Sequence, residues 1–151
     1  MPDDHWAKQL AGLIRGSILE FSEQVTDQIE MVAVDCHPWN GFLALAALTH
    51  AEALRDPALA DPAEMAAWEH YDFGSTLASW TPASNLSLQM REEYSEAGNF
   101  KAGVAEAYFR ACAAAVGSDE VRRSLASRWL SDTFRISVAH PDTGEEYFAR
   151  L

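Results

Sequence analysis

Two eight-residue apolar-rich runs, separated by only five residues, limit what this chain can fold into more than any other feature. The first is Ile29-Glu30-Met31-Val32-Ala33-Val34-Asp35-Cys36, with β-branched residues and partial alternation. The second is Phe42-Leu43-Ala44-Leu45-Ala46-Ala47-Leu48-Thr49. Runs of this length and composition read as strands. The link His37-Pro38-Trp39-Asn40-Gly41 reads as a reversal, because Asn-Gly supplies positive φ angles and Pro38 holds His37 extended. A hairpin is the expectation. A helix starting near Asn40 is the alternative, since Leu and Ala favour helices.

Helical spacing surrounds these runs. Trp6, Leu10, Leu13, Ile14, Ser17, Ile18 and Phe21 form one amphipathic stripe that Asp3 or Asp4 can cap. Asp61-Pro62-Ala63-Glu64 has the form of a capping box and predicts a helix over 62–70. Residues 71–83 read as irregular, and helical spacing resumes over 85–96 through Leu86, Met90 and Tyr94. Asn99 is expected to cap a long helix over 100–116, closed by Gly117 in the left-handed conformation. Ser118-Asp119-Glu120 opens a short helix through Val121, Leu125 and Trp129.

Near the C-terminus, Phe134, Ile136 and Val138 alternate with Arg135 and Ser137, and His140-Pro141-Asp142-Thr143-Gly144 leads to 146–150 as the partner of a second hairpin. The expected fold is therefore α+β, with an antiparallel sheet of two strand pairs covered by several helices. Residues 1–151 form one domain, and the 100–116 helix lies across the sheet.

The charge is acidic and uneven. Residues 1–72 hold thirteen acids against Lys8, Arg15 and Arg55, a formal −10 of the total −12. Such a field repels nucleic acid and anionic membrane and draws in cations or basic proteins. The longest apolar run, Gly41 to Leu48, falls short of the roughly 18 residues a spanning helix needs, and Met1-Pro2-Asp3-Asp4 shows no basic signal region. The two cysteines, Cys36 and Cys112, are too few for a disulfide framework. These features lead to the expectation of a cytoplasmic protein with both thiols reduced. Nine Arg against two Lys and a high Ala content fit a bacterial source.

The chain lacks a phosphate loop, a dinucleotide-binding glycine pattern, a Gly-x-Ser-x-Gly elbow, His-Glu-x-x-His and paired Cys-x-x-Cys. That weighs against an enzyme, and no cofactor is expected. Its densest polar segment is Asp35 to Gly41. Strand alternation sets Asp35 and His37 on one face and Cys36 on the other, which separates the thiol from the neighbouring imidazole. Trp39 and Trp80 fall in loops, where exposed aromatics anchor interfaces. The leading expectation is a binding protein whose acidic surface, with Trp39, Trp80, Asp35 and Asp72, engages a basic protein partner. The alternative is a small metal-dependent or small-molecule enzyme built around Asp35, His37 and His140. In its metal form Asp35 and His37 ligate a divalent cation together with His140, with His50, His70 or Asp72 completing the shell. The two His-Pro corners, His37-Pro38 and His140-Pro141, would then flank one pocket. A homodimer through a C-terminal edge strand over 146–150 is a third expectation.

The order of these elements, an amphipathic helix, a strand pair, capped helices and a C-terminal strand pair on a small acidic chain, resembles uncharacterised bacterial α+β families of the toxin-immunity type. The resemblance spans the chain and rests on organisation. No activity is carried over from it; an immunity protein would engage a basic partner through such an acidic surface and loop aromatics.

Overall fold

The computed structural model describes residues 1–148. The amphipathic stripe forms α1 (Asp4–Gln24), and the Asp3 side chain accepts from the Trp6 amide to cap it. The hairpin forms as β1 (Ile29–His37) and β2 (Phe42–Thr49), in antiparallel register with His37 opposite Phe42. The second run is thus a strand, although its Leu and Ala content favours helix. Pairing with β1 and burial on both faces outweigh that preference. At the reversal only Gly41 takes a positive φ, of 63°. Asn40 does not, because the turn places a single residue in the left-handed region.

Thr49 caps α2 (His50–Arg55) by accepting from the Glu52 amide. The predicted helix over 62–70 is instead a 3₁₀ segment, Pro62–Ala67, preceded by another over Pro57–Ala60. Asp61 does cap it, bonding the Ala63 amide. It stops early because Trp68 is buried and its indole N–H donates to the Leu59 carbonyl at 2.7 Å, which leaves too little chain for repeated i→i−4 bonds. The stretch after Tyr71 is a pair of 3₁₀ turns, Phe73–Thr76 and Ala78–Trp80. The Glu20 carboxylate latches the second to α1 by accepting from the Ala78 and Ser79 amides and the Ser79 hydroxyl.

Three more helices follow: α3 (Ala83–Glu96), α4 (Lys101–Val116) and α5 (Asp119–Ala126). Asn99 does not cap α4, which grows directly out of a 3₁₀ turn over Gly98–Phe100. Gly117 sits at φ −87° rather than in the left-handed region, with its N–H on the Ala113 and Ala115 carbonyls. Ser118 caps α5 as expected. Trp129 lies beyond that helix and is exposed.

The expected sheet of two antiparallel pairs is corrected by the C-terminal segment. Strand β3 (Leu130–Ser137) joins β1 in parallel, giving a three-stranded mixed sheet in the order β2-β1-β3. A parallel neighbour needs a long crossover, and the helical chain between β2 and β3 supplies it. The second hairpin does not form over the described residues. Glu146 makes only an isolated bridge to Ala139, and its carboxylate accepts from the Ser137 hydroxyl and the Val138 and Phe148 amides. Those bonds hold the return segment as a loop; residues 149–151 of the expected strand lie outside the described residues.

Alternation divides the core. Val32, Val34, Cys36, Leu43 and Leu45 face α1 and α4 in a large core that includes Trp6, Tyr108 and Phe109. Met31, Ala33, Ala46 and Leu48 face the other way, under Met65 and Trp68. This second, thinner cover leaves part of the sheet face open beside Asp35. No helix among the described residues is long and apolar enough to cross a membrane.

Candidate functional site

Because β1 and β3 run in parallel, their C-terminal ends meet at one edge of the sheet. Ligand sites in open sheets collect at the carboxyl ends of parallel strands, where loops diverge. Here that edge opens into a cleft of about 600 Å³. Asp35, His37 and Arg135 come from the strands, Pro62 and Met65 from the 3₁₀ cover, and His140 from the loop after β3.

Asp35 is its most constrained group, at 7% exposure. One carboxylate oxygen is 2.8 Å from His37 Nε2, and the other accepts the Tyr71 hydroxyl at 2.7 Å. A buried carboxylate needs such partners to offset its burial. Burial, then the bond to Asp35, raises the Tyr71 phenol well above its ordinary value, so the phenol keeps its proton and goes on donating. With its Nε2–H donated to Asp35, the neutral His37 ring carries its lone pair on Nδ1. Trp39 and Phe42 pack edge to face against that ring, at 5.6 and 5.5 Å between centroids. The result is an imidazole oriented by a carboxylate that is itself fixed by a third residue.

His140 is held differently. Its Nδ1 accepts the Asp142 and Thr143 amides at 3.0 and 3.4 Å, which places the ring hydrogen of the neutral form on Nε2. In that state Nε2 is a donor and has no lone pair for a metal. The two His-Pro corners do flank one cleft, but the ligand shell drawn from sequence does not assemble. His50 bonds Glu30 at 2.7 Å near the opposite end of β1, and His70 packs on Phe21. Among the described residues no three His, Cys, Asp or Glu side chains gather in a metal-holding group.

The four residues expected at an interface separate as well. Asp35 is buried in the cleft and committed to His37 and Tyr71. Trp80 is 6% exposed, with its ring closed over Gly74, where an added Cβ would meet it at 2.7 Å. It is not an exposed anchor, because a 3₁₀ turn folds it onto the large core. Asp72 lines another hollow, of about 500 Å³, together with Gly41 and Arg91. It sits at φ 55°, and burial followed by the charge of Asp35 raises its carboxyl. Trp39 is half-buried among Tyr94, Phe109 and His140.

Cys36 and Cys112 are free, fully buried thiols, and burial pushes Cys36 upward. Cys36 lies 3.6 Å from the Met90 sulfur on the face away from His37, as alternation predicts. Sequence reasoning missed Tyr71 and Glu146. Tyr71 acts across 36 residues, and no local spacing signals that contact. Glu146 fell in the predicted strand, where its carboxylate had no assigned partner. Comparison with protein-family models, curated proteins and solved structures returned no match.

Proposed function

We propose that the protein is a small-molecule enzyme in which His37, oriented by Asp35, removes a proton from a substrate bound in the cleft at the ends of β1 and β3. The observation that carries this reading is the buried Asp35 carboxylate, bonded on one side to His37 and on the other to Tyr71. A general base needs a positioned ring with a free lone pair, and this chain of bonds supplies both. Cys36 points away from the cleft, and Ser137, beside it, is tied to Glu146. Proton transfer therefore fits better than covalent catalysis. Among the described residues four carboxylates, Asp35, Asp61, Asp142 and Glu146, line the cleft against the guanidinium of Arg135, a balance suited to a neutral or cationic polar substrate. The basic-partner reading draws less support, since Asp35 and Trp80 are buried.

The test is incubation of the protein with a metabolite extract, followed by mass spectrometry. A compound consumed by the wild type and spared by His37→Gln and Asp35→Asn is the expected result. Consumption by all three alike, or none by the wild type, removes the reading.

A further inference from the structure

Beside His140 a further hollow, of about 570 Å³, opens between the β1–β2 turn, α3 and α4. Its walls are aromatic: Trp39, Tyr94, Phe109 and Tyr147, with the His140 ring. Phe109 and Tyr147 are buried and form the floor, while Trp39, Tyr94 and His140 are half-buried and reach solvent. Trp39 stands at 64° to Tyr94 and 76° to Phe109, with centroids 6.3 and 6.4 Å apart. Phe109 lies 4.9 Å from His140 and 5.2 Å from Tyr147. Trp39 is steeply inclined to Tyr94 and Phe109, while Phe109 is tilted by 53° to His140 and 32° to Tyr147, and Trp39 by 36° to His140. The rings therefore meet the hollow at several angles rather than as one stack. Two carboxylates, Glu106 and Asp142, stand among the lining residues with the ammonium of Lys101. Glu106 pairs with Arg110 at 2.9 Å, which leaves Asp142 as the acid without a basic partner among the described residues.

Ring faces are negative and attract cations, most strongly where water is excluded. Two of these rings already do so: the Lys101 ammonium lies 5.9 Å from the Tyr94 centroid, and the Arg110 guanidinium 5.7 Å from that of Tyr147. An ordinary ammonium would be held by the carboxylates with little need of rings. A quaternary, trimethylated ammonium has no N–H to donate, and it gains most from aromatic faces. We infer that this hollow binds a quaternary, trimethylated ammonium head group. The inference does not rest on proton transfer by His37. The formal charge of −12 adds a long-range attraction for such a ligand.

Choline and its neutral carbon isostere, 3,3-dimethylbutan-1-ol, separate cation recognition from apolar filling. The indole N–H signal of Trp39, assigned by its loss in Trp39→Phe, is followed by NMR through both titrations. Choline is expected to shift that signal saturably, with the isostere about tenfold weaker. Trp39→Leu and Tyr94→Ser should each weaken choline binding about tenfold, and Lys101→Met should strengthen it by removing the competing ammonium. A peptide carrying trimethyl-lysine is titrated in parallel. Tighter binding of free choline assigns the head group to a small molecule, and tighter binding of the peptide assigns it to a protein side chain. Equal affinity for choline and the isostere, or a Trp39 signal unmoved by either cation, overturns the inference.

Discussion

The Tyr71 hydroxyl reaches Asp35 from 36 residues away, and among the described residues it shares that buried carboxylate with His37. Replacing it with Phe keeps the ring and removes the donor. A hydrogen bond to a charged group contributes about 1.5–3 kcal/mol, so Tyr71→Phe should lower unfolding free energy by about that much. Urea titration with an unchanged slope would locate the loss in the folded state, and a loss below about 0.5 kcal/mol would show that water replaces the phenol. At this scale sequence reading succeeded where a residue's neighbours decide its role. The opposite facing of Cys36 and His37 follows from strand alternation, and Gly41 at φ 63° follows from the turn. It failed where the partner is distant. Nothing near Tyr71 in the chain marks it as the anchor of Asp35, and nothing near Trp80 announces that Gly74 leaves space for its ring.

At the level of elements, the join between β1 and β3 depends on Glu30. One oxygen of its carboxylate accepts the Thr133 hydroxyl at 2.5 Å, and the other meets His50 at 2.7 Å. Burial raises this carboxyl, but the bonds from Thr133, His50 and Ser131 outweigh it and leave the group below the usual glutamate value. A lowered folded-state value means that the unfolded chain binds the proton more tightly. The stabilisation is therefore present above the unfolded value, and is lost as pH falls through the folded one. Asp72, raised in the fold, acts in the opposite direction and favours the folded state as acid is added. Urea melts between about pH 7 and pH 3 should show the wild type losing more stability than Glu30→Gln. Parallel curves would remove Glu30 as a source of acid sensitivity. The sequence displayed each strand but not their pairing. Alternation over 134–138 identifies a strand and its faces, whereas the choice of β1 as parallel partner is made by the crossover and by Glu30, Gln28 and Ile29 bonding to Thr133, Leu130 and Trp129.

For the whole molecule, the question is where a formal −12 goes. Much of the acidic N-terminal half is used internally. Glu30 and Asp35 are buried in bonded networks, Glu52 is buried with one oxygen on the Glu69 amide, and Glu20 latches a turn, while Asp3 and Asp61 cap helical segments from the surface. This accounting separates an acidic composition from an acidic docking face, a distinction that composition alone does not make. The acids left on the surface still repel one another, and the ion pair of Arg110 with Glu106 is exposed and contributes little. Salt screens like charges beyond a Debye length of about 10 Å at 0.1 M. Raising sodium chloride from about 10 mM to about 300 mM should therefore raise the melting temperature, because repulsion fades while the buried bonds of Asp35 and Glu30 are barely screened. A rise of about 2–4 °C corresponds to about 1 kcal/mol for a chain of this size. A melting temperature that falls with salt would mean that favourable surface pairs dominate, and the net charge would then be balanced locally rather than tolerated as repulsion.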